Sequence, residues 1–185
     1  SKNGVKASVL SFVPLNDNCE ISQLTLTNGS SEDKKLSVFS YVEWCLWNAD
    51  DDMKNFQRNL STGEVEVQDS TIYHKTEYRE RRNHYAIYSV NTKIDGFDTS
   101  RDAFLGAYRG ADSPEVVENG KCTNSIASGW SPIASHQINV DLAAGETKTF
   151  IFVLGYIENP EDEKWESYGV INKTRAKEML AKYQT

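Results

Sequence analysis

Apolar residues recur at every second position through most of this chain, in short runs closed by turn-forming residues. A period of two is the mark of β-strands, whose faces alternate. The first run, residues 5–13, sets Val5, Ala7, Val9 and Val13 on one side and Leu10 and Phe12 on the other, and Pro14 ends it. Beyond the turn-forming Asn16-Asp17-Asn18, a second run goes from Cys19 to Thr27 and stops at Asn28-Gly29, so the two read as adjacent antiparallel strands. In residues 35–47 the even positions carry Leu36, Val38, Val42, Trp44 and Leu46, and the odd ones Phe39, Tyr41, Cys45 and Trp47. A strand that is apolar on both sides must be covered on both, which predicts a central strand of a large sandwich.

Shorter strands are predicted at residues 64–67 and 71–76, about the turn Gln68-Asp69-Ser70, and again at 85–90 and 103–108. Near the end, His136 to Leu142 alternates around Ile138, Val140 and Leu142, Ala144-Gly145 turns, and Thr147 to Tyr156 returns with Phe150, Phe152 and Leu154 on one face. This is the clearest hairpin in the chain. Asn159-Pro160 followed by Glu161, Asp162 and Glu163 then supplies a cap, a first-position proline and acids at the positive end of a helix dipole. Ala176, Leu180 and Tyr183 continue it as a helical stripe, expected to pack on a sheet or lead toward a following domain. The division expected is a β-sandwich segment over residues 1–158 and a helical extension over 159–185.

Composition narrows the functions open to such a sandwich. The 27 acidic residues exceed the 20 Lys and Arg, giving a net charge of −7, which disfavours a nucleic-acid partner. No apolar run approaches the roughly 20 residues of a membrane span, and Ser1-Lys2-Asn3-Gly4 lacks the apolar core of a signal peptide. A soluble, cytoplasmic protein is expected, with no membrane partner. The three cysteines, Cys19, Cys45 and Cys122, are odd in number and lack a CxxC spacing, which fits free thiols in a reducing compartment. Three acceptor triplets for glycosylation, beginning at Asn28, Asn59 and Asn172, would matter only after secretion. A strand-like run begins almost at once without an initiating Met, so the chain reads as excised from something longer.

Candidate chemistry centres on residues 48–61, a polar loop after the most apolar strand, where a rigid scaffold presents functional side chains. Its acidic run, Asp50 to Asp52, does not make a calcium loop: Met53 stands where glycine is needed and Asn59 where a bidentate Glu is needed. No metal is predicted. Gln57 and Arg58 place an amide beside a guanidinium, the planar donors and acceptors that sugar hydroxyls or a phosphate require, although the same pair could simply fasten the loop. The basic stretch at residues 78–85 is interrupted by Glu80, which favours local ion pairing over phosphate binding. His74, His84 and His136 have no metal or nucleophile spacing and read as structural. Glu43, Glu64, Glu66, Glu77 and Glu80 could supply the paired carboxylates of glycoside chemistry, but acids alternating along strands are ordinarily the wet face.

Longer stretches carry a more specific signal. Tyr41-Val42-Glu43-Trp44-Cys45-Leu46-Trp47-Asn48, Asn55-Phe56-Gln57-Arg58-Asn59-Leu60-Ser61-Thr62-Gly63-Glu64-Val65-Glu66 and Ile72-Tyr73-His74-Lys75-Thr76-Glu77-Tyr78-Arg79-Glu80-Arg81-Arg82 closely resemble the cellobiose phosphorylases of glycoside hydrolase family 94. The likeness continues through residues 95–102, 127–130 and 153–160. It implies a mainly β fold: a large antiparallel β-sandwich of the supersandwich, galactose-mutarotase-like kind, incomplete at its N-terminus, with a C-terminal helix.

The reaction implied for the complete protein is inverting phosphorolysis of cellobiose to glucose 1-phosphate and glucose. Inorganic phosphate is a co-substrate and there is no cofactor. The family's general acid is an aspartate of a separate helical barrel, which no residue here matches, so no catalytic residue is assigned. The resemblance further implies packing on that barrel, a homodimer, and a sugar-pocket role for Gln57 and Arg58. Two rivals stay open: a freestanding carbohydrate-binding module, in which Trp44, Trp47, Trp130 or Trp165 would form an exposed stacking platform, and a purely structural assembly domain.

Overall fold

The computed structural model describes residues 2–44, 63–76, 83–127, 129 and 132–184. In chain order the strands are β1 (Val5–Phe12), β2 (Cys19–Asn28), β3 (Lys34–Phe39), β4 (Val42–Glu43), β5 (Gly63–Gln68), β6 (Thr71–Thr76), β7 (His84–Val90), β8 (Gly96–Ser100), β9 (Pro132–Leu142), β10 (Thr147–Glu158), β11 (Trp165–Ser167) and β12 (Val170–Ile171). Among the described residues, three α-helices accompany them: α1 (Arg101–Leu105), α2 (Glu115–Asn119) and α3 (Thr174–Tyr183). The mainly β, antiparallel sandwich expected from the period-two pattern is what forms.

Six strands make one sheet in the order β1-β2-β10-β7-β6-β5. A second sheet is built on β9, with β3 and β4 on one side and β8 on the other. Their facing sides bury Leu26, Ile72, Tyr88 and Phe152 of the first against Ile138, Val140 and Leu142 of the second. The outer faces are also covered. Ala176 and Met179 of α3 lie on Tyr73, Tyr85, Ile87 and Val153 behind the large sheet, while Phe104, Leu105 and Val116 from α1 and α2 cover Ile133, Phe39 and Tyr41 behind the small one. Full burial of each such aliphatic side chain stabilises by roughly 1.5–3 kcal/mol.

The doubly apolar run at residues 34–43 is explained by these layers. Leu36, Val38 and Val42 face the sandwich interior, and Phe39 and Tyr41 face the helices. It is not a central strand, however: among the described residues, β3 and β4 pair with β9 alone. The two share one register, Lys34 opposite Leu142 and Glu43 opposite Ile133, and Ser40 donates its N–H to the His136 oxygen between them at 3.0 Å. They are one strand interrupted at Ser40 and Tyr41. Both faces are apolar because helices, not further strands, cover the outer one.

Three other expectations are corrected. The run from His136 and its return do not form a paired hairpin: β9 and β10 belong to different sheets, and the turn at Gly145 (φ +75°) carries the chain across the sandwich. Alternation identifies strands but not their partners, and β10 finds its neighbours in β2 and β7. Residues 103–108 are not a strand. Ser100 accepts the Ala103 N–H at 3.4 Å as an N-cap, so α1 starts at Arg101 instead. The acids after Pro160 form only a 3-10 turn, Glu161–Glu163, and the β11–β12 hairpin intervenes before α3. The predicted stripe does hold there, since Ala176 and Met179 are buried with Leu180 and Tyr183 packed beside them. Close approach needs Gly155 on β10: a Cβ there would stand 2.9 Å from both the Met179 sulfur and Ile87.

Asn28, the first glycosylation acceptor, is fully buried. A folded chain cannot present it to a transferase. Asn172 is committed as well, donating to the Glu163 oxygen and accepting from the Thr174 N–H, each at 3.0 Å.

Candidate functional site

Gln57 and Arg58 fall in residues 45–62, outside the described residues. What is described is the frame from which that stretch departs. At the end of β4, Glu43 accepts hydrogen bonds from the Tyr41 hydroxyl at 2.6 Å and from the Arg101 Nε at 2.9 Å. Burial, reinforced by the Glu43 carboxylate, pushes the Tyr41 phenol upward and keeps it a donor. Arg101 reaches Glu43 from α1, across 58 residues of chain, and no local pattern marked that pair.

Trp44 follows, stacked on His74 of the facing sheet with centroids 5.4 Å apart. Burial holds His74 down to about 4, so the imidazole is neutral. Neither the Trp44 Nε1 nor the His74 Nδ1 has a hydrogen-bond partner. A second inter-sheet stack, Tyr88 on His136 at 5.0 Å, lies deeper, where burial lowers His136 to about 3. His84 is bonded to the Tyr156 hydroxyl. All three histidines thus have structural settings, as their spacing indicated, and no group of three or more metal-ligating side chains is gathered among the described residues.

A cleft of about 680 Å³ opens at this end of the sandwich, with Val13, Trp44 and Leu154 among its apolar lining and Asp17, Glu20 and Glu43 among its polar lining. That is an ordinary volume for a small-molecule site. Asp17 is tied to Lys182 at 3.0 Å and to the Tyr183 hydroxyl at 2.5 Å, which anchors the β1–β2 turn to α3.

The other described carboxylate candidates, Glu64 and Glu66, are not arranged for acid–base work. Lys75 holds Glu64 at 2.8 Å and Glu66 at 3.0 Å, and Lys173 holds the other Glu66 oxygen at 2.7 Å. Burial would raise the Glu66 carboxyl, but bonds from Lys173, Ile171 and Lys75 leave it below its ordinary value, opposite to what a general acid needs. Glu77 and Glu80, with the basic residues 78–82, lie outside the described residues. Asp98, which the sequence did not single out, is buried and accepts from Thr123 and Ser125 through backbone and hydroxyl donors, so it pins residues 123–125 and presents no free oxygen to a substrate.

Neither described tryptophan offers the open stacking face of a carbohydrate-binding module. Trp44 is buried, as its strand position predicted. Trp165 is 40% exposed, but the Lys164 and Lys75 ammonium groups sit over its ring at 4.2 and 5.0 Å. Trp47 and Trp130 lie outside the described residues.

The family model "Glycosyl hydrolase 94, supersandwich domain" matches residues 1–185, the whole chain. The chain belongs to that family. Relatives of this glycosyl hydrolase 94 supersandwich domain include an N,N'-diacetylchitobiose phosphorylase of Vibrio proteolyticus, 30% identical over 83% of the chain and 19% of the relative. A protein of the same name from Vibrio furnissii is 27% identical over 98% of the chain and 21% of the relative. A solabiose phosphorylase of Paenibacillus borealis is 28% identical over 85% of the chain and 21% of the relative. The supersandwich domain therefore spans about one-fifth of the length of the curated relatives it matches.

Proposed function

We propose that the complete protein is a disaccharide phosphorylase and that this chain is a noncatalytic part of it, shaping the sugar pocket and the subunit interface. The observation that carries the reading is the whole-chain family match, with relatives named as phosphorylases of two different disaccharides. The ion-paired state of Glu43, Glu64 and Glu66 agrees with catalysis housed elsewhere.

For the substrate we favour cellobiose, on the resemblance of residues 41–48, 55–66 and 72–82. Phosphate would attack the anomeric carbon from the face opposite the leaving glucose, whose oxygen takes a proton from an acid, yielding glucose 1-phosphate with inversion. Phosphate is then a co-substrate, and no cofactor enters. The partners are the helical barrel of the same protein and a second copy of it, in the cytoplasm. Gln57 and Arg58 would orient substrate hydroxyls, and the Arg58 charge would favour the incoming phosphate.

The test is Arg58→Ala in the complete protein, with phosphorolysis of cellobiose, N,N'-diacetylchitobiose and solabiose measured beside the melting temperature. Lost turnover at an unchanged melting temperature is expected. Equal loss of both assigns Arg58 to scaffolding, unchanged turnover removes it from the pocket, and preference for another disaccharide refutes cellobiose.

A further inference from the structure

Among the described residues the large sheet ends on β5 at one side and on β1 at the other, and the two edges differ in chemistry. β5 carries Glu64 and Glu66, acids of the kind that keep a free edge from pairing. β1, with the sequence VKASVLSF, has Lys6 as its one charged residue and leaves Val9, Leu10 and Phe12 exposed by 63%, 60% and 46%. Val9 lies opposite Leu24 of β2, on the side of the sandwich interior, and Phe12 lies opposite Ile21, on the side of α3. Both faces of this edge are therefore apolar and open, the pattern of a strand that pairs further.

The turn before β1 indicates with what. Asn3 (φ +52°) and Gly4 (φ +82°) both take the left-handed conformation, as the two central residues of a tight hairpin turn do. Across that turn Lys2 and Val5 exchange both main-chain hydrogen bonds, each 3.0 Å. A chain entering at Lys2 thus arrives along β1 and antiparallel to it. Main-chain groups alternate in direction along a strand, so Ala7, Val9 and Ser11 turn their N–H and C=O the same way as Val5, away from β2 and toward the entering chain. A second copy or a foreign peptide seated there would have to turn that chain aside.

We infer that the open edge of β1 is a docking surface for a further strand of the complete protein, formed by the residues that lead into Lys2. It runs antiparallel to β1 and sets apolar side chains beside Val9 on one face and beside Leu10 and Phe12 on the other. The turn fixes the register. Because Lys2 opposes Val5, each step back from Lys2 is one step onward from Val5, and five such steps bring the fourth residue ahead of Ser1 opposite Leu10. The inference rests on the reading of this chain as part of a longer protein, since it spans about one-fifth of its relatives, and not on the phosphorylase activity.

The experiment is hydrogen exchange of the complete protein, resolved to single residues, together with a disulfide trap. The amides of Ala7, Val9 and Ser11 should exchange at least about a hundredfold more slowly than in an unstructured chain, in step with those of Ser8 and Leu10, which face β2. Leu10→Cys, combined with cysteine in place of the fourth residue ahead of Ser1 and oxidised by glutathione disulfide, should give a cross-link within one chain. Fast exchange at Ala7, Val9 and Ser11 beside slow exchange at Ser8 and Leu10 shows a free edge and overturns the inference. Slow exchange without the cross-link gives the edge to another element, and a cross-link between two molecules gives it to a second copy; either result overturns it too. Disaccharide turnover is read separately, and its absence refutes the phosphorylase reading alone.

Discussion

The side-chain amide of Asn28 donates to the main-chain oxygen of Leu142 at 3.1 Å, across 114 residues of chain, at the corner where the β2–β3 and β9–β10 connections pass. Its Nδ2 also lies 2.8 Å from the Glu32 oxygen and 3.0 Å from the Ala143 oxygen, and its Oδ1 accepts from the Ser30 N–H and hydroxyl. One buried side chain thus fastens the passage from β2 to β3 and the passage from β9 to β10. Asn28→Ala would leave several buried carbonyls unpaired, and a loss of about 2–4 kcal/mol is expected. Denaturant unfolding of the complete protein checks it. Asn28→Asp should be no milder, because it replaces donors by acceptors facing carbonyl oxygens.

The two buried histidines make stability depend on pH. In the native state His74 and His136 titrate at about 4 and about 3 because burial disfavours the imidazolium, while unfolded histidines titrate near 6.5. Below pH 6.5 the unfolded chain therefore binds more protons. Their full contribution is present above about 6.5 and erodes as the pH falls toward 4 and then 3, at up to about 2.7 kcal/mol per pH unit for the pair. Melting temperatures between pH 7.5 and 4.5 should show this slope, and His136→Phe should reduce it by about half.

Glu66 and Glu64 both meet Lys75, yet their removal should differ. Glu66 is 20% exposed and is the carboxylate shared by two buried ammonium groups, and it also accepts the Ile171 N–H. Glu66→Gln leaves Lys75 and Lys173 under-compensated and should cost about 3–5 kcal/mol. Glu64 is 76% exposed, so Glu64→Gln should cost less than about 1 kcal/mol. Unfolding curves separate the two. Hydrogen exchange at Ile171 should accelerate only in the first.

Neither described thiol should be reactive in the folded protein. Burial, with the Asp98 carboxylate beside it, pushes Cys122 up to about 12, and burial with Asp17 nearby raises Cys19. In a Cys45→Ser background, a thiol reagent at pH 8 should label no cysteine of this segment within minutes under native conditions, and both after denaturation. Labelling of the native protein would show that these layers open.

Strand existence was legible here because half-buried strands print their faces on the sequence, as where buried Ile138, Val140 and Leu142 alternate with exposed Asn139 and Asp141. Strand partnership was not. The alternation in residues 136–156 is the same whether β9 and β10 pair or cross, and the partners that β10 takes, β2 and β7, lie far away in sequence. The covering of Phe39 and Tyr41 was legible as a need, but not as helices, because α1 and α2 are five residues each and too short to show a period. Likewise Glu43 showed its charge but not its partner, since Arg101 arrives through the tertiary fold. Gln57 and Arg58 drew attention through amide and guanidinium chemistry alone, and the resemblance to a known family gave them a role.

The placement of β10 between β2 and β7 has a consequence for how the polypeptide is made. As the chain leaves the ribosome, β1 and β2 emerge far ahead of the strand that joins them to β7, β6 and β5. Until residue 158 is out, the large sheet exists as two unjoined fragments with naked apolar flanks. Such long-range closure folds slowly and leaves a nascent chain open to aggregation, so a chaperone that shields the strands ahead of β10 until it follows should raise the yield of soluble protein.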